Sequence, residues 1–180
     1  MITILSGTNR NNSNTYKVAK LVESELQNNK VETQFIDLNK LPPNLFIPEN
    51  YGNAPKSFEP FQKMVLETNG IITVVPEYNG SYPGALKYFI DLLKFPESFN
   101  NMPAGFIGVA AGIFGSFRSV EQLQMVYQYR GAKLFNRYVL FPKVHEKLNP
   151  EGTEITDKFT RDLFQQFIRD FPIFSKALRN

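Results

Sequence analysis

The chain has 180 residues, 42% hydrophobic and 21% charged, a globular balance with room for one sizeable core that excludes a disordered chain. Its formal charge of +3 comes without a dense basic stripe interleaved with aromatics, so nucleic acid is not an expected partner. The chain has no cysteine and a single histidine, His145, which excludes disulfides, thiolate catalysis and any multi-histidine metal site.

In chain order, Ile2 to Leu5 form a short apolar run expected to be a buried strand. A helical pattern starts at Ser13, with Tyr16, Val18, Ala19, Leu21, Val22 and Leu26 recurring at helical spacing and Ser13 or Asn14 as its N-cap. Val31 to Leu38 alternates as a second strand, and the Pro- and Asn-rich stretch 42–55 is a loop or short-turn region, long for a connection. A helix is predicted over 58–66, and Gly70 to Pro76 is the clearest buried strand. Pro83 starts a helix whose apolar face is Ala85, Leu86, Phe89, Ile90, Leu92 and Leu93. Strand 104–111, helix 116–130 with Gly131 at its stop, strand 132–141 and helix 157–171 complete the chain.

Strand followed by helix five times over predicts an α/β protein, a parallel sheet covered by helices on both faces, as a single domain over 1–180. In such sheets ligands bind at the carboxyl ends of the strands. Three polar turns follow strand ends, at 6–15, 76–83 and 111–116, and are expected to converge.

The first turn, SGTNRNNSNT, feeds a helix N-terminus, where unpartnered N–H groups and the helix dipole favour an anion. Thr8, Ser13, Asn14 and Thr15 add neutral donors and Arg10 a charged one, so the turn suits a phosphate monoester. The competing reading is a solvated turn that only caps its helix. The Walker ending Gly-Lys-Ser/Thr and the dinucleotide pattern GxGxxG are both missing. In the second turn Gly80 permits a backbone conformation closed to other residues. Tyr78, Asn79, Gly80 and Ser81 can aim N–H groups at a planar heterocycle, with Tyr78 or Tyr82 against it and Glu77 closing the turn. In the third, Gly112 and Gly115 leave space for a flat ligand. Arg118 is a cation in a helix first turn, where the dipole disfavours it. It is read either as a ligand for an anion, a nucleotide phosphate or a carboxylate across a dimer interface, or as a surface arginine with no partner.

Together these turns resemble the NADPH-dependent FMN reductase family of flavodoxin-like proteins. The resemblance rests on Gly7-Thr8-Asn9-Arg10-Asn11-Asn12-Ser13-Asn14-Thr15, on Pro76 to Asp91 nearly position for position, on Gly112 to Arg118, and on the junction Tyr129-Arg130-Gly131-Ala132. It covers roughly residues 1–140. It implies a three-layer flavodoxin-like sandwich with strand order 2-1-3-4-5, bound FMN, NADPH or NADH as co-substrate, and a homodimer or homotetramer. Carried over by position, Thr8, Arg10, Ser13, Asn14 and Thr15 hold the FMN phosphate. Pro76, Glu77, Tyr78, Asn79 and Gly80 border the ring, and Gly112 and Gly115 flank its other side; Arg118, as the misplaced cation, is the candidate substrate-binding residue.

The expected activity is hydride transfer from NAD(P)H through FMN to a quinone, azo compound, flavin or metal ion, with no side-chain acid or base. The alternative is a flavodoxin-type electron carrier, or an FMN-binding module, without NAD(P)H activity. His145 is expected at the surface. Tyr88, Phe95 and Phe99 give the helix over 83–95 a second apolar surface, read as a dimer interface or as a face covered by the long loops. The absence of a signal pattern and of any apolar run near the ~20 residues that span a bilayer makes the cytoplasm the expected compartment.

Overall fold

The computed structural model describes residues 1–178. Five strands, β1 (Ile2–Ser6), β2 (Thr33–Asp37), β3 (Gly70–Pro76), β4 (Pro103–Val109) and β5 (Lys133–Phe141), form one parallel sheet in the order β2-β1-β3-β4-β5. Five helices alternate with them: α1 (Asn14–Asn28), α2 (Glu59–Glu67), α3 (Gly84–Leu92), α4 (Phe117–Tyr129) and α5 (Lys158–Ala177). This is the flavodoxin-like layering and strand order that the resemblance implied.

The sheet is apolar on both faces because β1, β3 and β4 are buried along their whole length, the signature of strands covered on each side. Alternation along β4 sorts the core into two clusters. Ala104 and Phe106 join Leu86, Phe89, Val120, Leu123 and Tyr127 on one face, and Ile107 and Val109 join Val18, Val22, Phe164, Phe167 and Phe171 on the other. Each such side chain taken fully from water contributes about 1.5–3 kcal/mol before entropy is counted.

Local chemistry sets the helix ends. Ser13, extended at φ −74°, accepts the Tyr16 N–H at 3.1 Å and starts α1 as expected of an N-cap. α1 closes in a Schellman turn: Lys30, at φ +60°, donates to Gln27 O, and Val31 donates to Leu26 O. α4 ends the same way on Gly131, at φ +91°, whose N–H meets Gln128 O while Ala132 donates to Tyr127 O. Asp157 caps α5, accepting from Thr160 N at 2.9 Å and Thr160 Oγ1 at 2.7 Å with Lys147 Nζ at 3.0 Å. These hydrogen bonds, then the lysine, hold its carboxyl down at about 2 from an ordinary 3.8. The cap is therefore intact above about pH 4 and lost as pH falls through 2. Melting curves from pH 5 to 2 are expected to show a steeper loss of Tm for the wild type than for Asp157→Asn, which keeps the cap without the charge.

Two expectations, for the second strand and the last helix, need correction. The second strand is shorter than 31–38, because Lys30 and Val31 are held in the Schellman turn. The stretch 42–55 is a short-turn region as expected, with two 3-10 turns, Pro43–Leu45 and Pro48–Asn50, tied by Asn50 Nδ2 to Asn44 O and Leu45 O. α5 runs through Pro172 to Ala177 instead of stopping at Phe171. Proline removes one helical bond, but Phe174 packs on Phe135 at 5.2 Å and Ser175 Oγ donates to Asn69 O at 2.7 Å, anchoring the last turn.

Candidate functional site

β1 and β3 are neighbours, and the chain leaves them toward opposite sides of the sheet, so the turns after them flank the point where the strand order reverses. The pairing of Ser6 with Val74 sets the two turns side by side. Gly7 makes the approach possible: its N–H donates to Val74 O at 2.8 Å, and a Cβ there would stand 2.8 Å from that same oxygen. The two turns then bond directly, Thr8 Oγ1 to Tyr78 OH at 2.8 Å, with Arg10 N–H donating to Thr8 Oγ1 at 3.2 Å. The convergence expected from sequence is therefore observed for these two turns.

In the first turn Thr8, Ser13 and Thr15 are buried, while Arg10 and Asn14 are exposed at the rim. The Asn14 and Thr15 N–H groups precede the first intrahelical bond and have no acceptor among the described residues. Thr8 differs from expectation in detail. Its hydroxyl is engaged between the two turns, so the uncommitted donors are those backbone amides with Ser13, Thr15 and Arg10.

The second turn is a two-residue type I′ hairpin. Asn79 (φ +53°) and Gly80 (φ +78°) both lie in the left-handed region, and Tyr78 and Ser81 exchange N–H···O bonds at 2.8 and 3.1 Å. The Asn79 and Gly80 N–H groups have no acceptor among the described residues. Nothing stands within 4 Å of a Cβ built on Gly80. Tyr78, a candidate for stacking, has its hydroxyl bonded to Thr8.

In the third turn Gly115 and Ser116 are both left-handed, at φ +60° and +70°, and Ser116 Oγ donates to Val75 O at 3.0 Å, which binds the start of α4 to the end of β3. The space above Gly112 is open, whereas Gly115 is buried against Leu140 and Pro142. Gly112 thus lies at an opening and Gly115 in packing. Arg118 has a partner within the chain, Glu77 Oε1 at 3.5 Å, and lies over the Phe114 ring at 5.0 Å. This contact explains the cation in a first turn without a ligand. Sequence reasoning missed Gln122, one turn further along the same face, which donates to Gly80 O at 3.2 Å and accepts from Ser81 Oγ at 2.5 Å. The spacing from Arg118 was the available signal.

His145 is exposed beyond β5, 3.8 Å from Glu146. The extra aromatic surface of α3 is covered largely from within the chain. Tyr88 donates to Leu45 O and stacks on Phe46 at 4.7 Å, and Phe99 is buried, while Phe95 stays 63% exposed. The covered-by-loops reading thus holds for Tyr88, whereas Phe99 is buried against Tyr127 of α4 at 4.5 Å. A cavity of about 1070 Å3 lies away from the three turns, between 52–56, α2 and 91–95. Its buried Gln62 is already bonded to Ser98 and the Lys94 N–H. No group of three or more metal-ligating side chains occurs among the described residues, and no helix among them is long and apolar enough to cross a membrane.

Uncommitted amides at a helix start, beside an uncommitted I′ turn at the strand-order reversal, define a mononucleotide-binding protein of flavodoxin-like fold. The family model for NADPH-dependent FMN reductase matches residues 1–146, and the chain belongs to that family. A 2-hydroxy-1,4-benzoquinone reductase from Burkholderia sp is 26% identical over 181 residues, covering 99% of this chain and 97% of that protein. An NAD(P)H-dependent FMN reductase from Pseudomonas aeruginosa is 27% identical over 128 residues, 69% of each chain. Among solved structures, the flavoenzyme NAD(P)H:(acceptor) oxidoreductase FerB from Paracoccus denitrificans superposes with a TM-score of 0.82 at 22% identity, covering 98% of this chain and 97% of that one. The chain is accordingly an FMN-dependent NAD(P)H oxidoreductase.

The residues present fit FMN. A phosphate needs several donors, and the Asn14 and Thr15 amides, with an exposed Arg10 in the same turn, are of that chemistry. A flavin ring edge needs donors and acceptors, and the Asn79 and Gly80 amides and a buried, unpartnered Glu77 Oε2 are of that chemistry.

Proposed function

We propose that this chain carries a hydride from NAD(P)H to a quinone or similar small acceptor, with FMN seated across the β1 and β3 turns. The observation that carries the placement is the 2.8 Å bond between Thr8 and Tyr78, which makes the phosphate turn and the ring turn one surface. FMN, when bound, supplies the hydride chemistry; the protein supplies binding and electrostatics. Arg10, Ser13, Asn14 and Thr15 hold the phosphate, with Thr8 fixing the turn. Pro76 to Gly80 border the ring, the Asn79 and Gly80 amides meeting its polar edge, and Gly112 opens its other side, with Gly115 setting the wall behind. Arg118 is the co-substrate ligand: its 3.5 Å pair with Glu77 is half exposed and worth little, so an anion displaces it at small cost. The acceptor class is supported by relatives named as quinone reductases.

The same reading takes the chain as one cytoplasmic domain that pairs with itself. Support for pairing comes from a groove of about 500 Å3 between α3 and α4, where Phe95, Met125 and Tyr129 are exposed.

Anaerobic mixing of the FMN-loaded protein with NADPH or NADH tests the activity, with loss of flavin absorbance expected and then its return on adding a benzoquinone. Absorbance unchanged by both coenzymes identifies an electron carrier instead. Arg10→Ala is expected to weaken FMN retention by about 1.5–3 kcal/mol, the worth of a charge-assisted hydrogen bond. Calorimetry showing wild-type affinity removes Arg10 from the site.

A further inference from the structure

α4 is braced against the β3 turn at three levels. Ser116 Oγ holds Val75 O, Arg118 holds Glu77, and Gln122 holds the hairpin itself. The third differs in kind, because it acts on a turn whose amides are otherwise uncommitted. A two-residue hairpin presents three peptide groups to solvent, and each can in principle turn its carbonyl or its N–H outward. Here the carboxamide of Gln122 uses both ends. Its Nε2 donates to Gly80 O at 3.2 Å and its Oε1 accepts from Ser81 Oγ at 2.5 Å. Gly80 O is therefore directed onto α4, and the Gly80–Ser81 peptide is held from two sides. The Asn79 and Gly80 N–H groups stay without acceptors among the described residues.

We propose that Gln122 is a positioning residue for the ring turn, locking its Gly80 carbonyl onto α4 so that the Asn79–Gly80 amides alone face the flavin edge. This rests on the placement of FMN proposed above. Amide donors favour the ring form that carries more negative charge at that edge. The lock therefore acts on the balance between reduced and oxidised flavin more than on the phosphate, which is bound at another turn. Gln122 itself is exposed on the helix surface and packs in neither core cluster, so its replacement leaves the fold in place.

The test uses the full chain loaded with FMN, in wild-type, Gln122→Leu, Gln122→Glu and Ser81→Ala forms. Gln122→Leu removes both bonds; Gln122→Glu keeps the acceptor for Ser81 and loses the donor to Gly80 O. Affinity for oxidised FMN is expected to change less than threefold in every form. The ratio of affinities for reduced over oxidised FMN is expected to fall about tenfold in Gln122→Leu and Gln122→Glu, read against reference dyes as a drop of about 30 mV in the two-electron potential. Ser81→Ala, which leaves the Gly80 bond, is expected to stay near wild type. Unchanged potentials in both Gln122 variants overturn this role for Gln122 while leaving the site standing. A wild-type protein that takes up no FMN overturns the site and this role together.

Discussion

Replacing Arg130 with methionine is expected to lower Tm by roughly 10 °C while leaving FMN affinity at low temperature unchanged. The guanidinium is buried and donates to three carbonyls at the C-terminal end of α3: Ile90 O at 2.8 Å, Leu93 O at 3.0 Å and Lys94 O at 2.9 Å. Helix ends leave such carbonyls without partners, and a cation there also meets the negative end of the dipole. The rings of Phe95 and Phe99 lie 5.3 and 5.2 Å from the guanidinium carbon. Burial lowers the pKa of Arg130, opposed first by Asp91, yet arginine keeps its proton in proteins. Methionine fills similar volume and takes the charged donor from all three carbonyls, of which Ile90 O keeps the Leu93 N–H and Lys94 O the Ser98 N–H, at a cost of about 3–4 kcal/mol. For a chain of this size each kcal/mol shifts Tm by about 2–4 °C. Arg130→Lys is expected to recover only part of the loss, because one ammonium cannot reproduce the planar fork. The C-terminal end of α3 is remote from the turns at its other end, so a matching loss of FMN affinity would contradict the division of labour described here.

What could be read from the sequence, and what could not, divides along contact range. The Ser13 cap, the Asn79–Gly80 turn and the Gly131 stop are local: each depends on residues within a few positions, and short motifs carry that information. The alternation of strands and helices is equally legible because burial on both faces of β3 and β4 demands uninterrupted apolar runs. The bonds that assemble the site are not local. Thr8 meets Tyr78 across 70 positions, Arg118 meets Glu77 across 41 and Gln122 meets Gly80 across 42. Nothing in single-sequence periodicity distinguishes these side chains from solvated neighbours. Arg118 shows the consequence: its charge in a first turn was visible, and its partner was not. Arg130 was noticed at a helix-to-strand junction, but its work as a cap for a different helix needs the fold. α5 outruns its expected end at Phe171 because tertiary anchors at Phe174 and Ser175 hold the turn beyond Pro172.

The second large effect is expected at Gly108, a strand glycine with no ligand role. Its Cα position in β4, paired with Val75 on one side and Leu140 on the other, faces the start of α4. A Cβ built there would stand 2.5 Å from Gly115 O, 2.7 Å from Leu140 Cδ2 and 3.1 Å from Ser116 Cβ. The first contact is with backbone, so Gly108→Ala must push the third turn outward. Overpacking of this kind costs typically about 1–3 kcal/mol. The larger consequence is functional, because the displaced segment carries the Ser116 bond to Val75 O and, beyond it, Arg118 and Gln122. Gly108→Ala is therefore expected to lose stability and also to raise the KM for NAD(P)H about tenfold or more. Gly105→Ala supplies the control. Its Cβ would meet Phe167 and Phe171 of α5 at 2.7 to 2.9 Å, on the opposite face of the same strand. Comparable destabilisation with unchanged KM is expected there. Equal effects of both substitutions on KM would mean that the co-substrate senses only overall stability, and the bracing of the β3 turn by α4 would lose its claim on function.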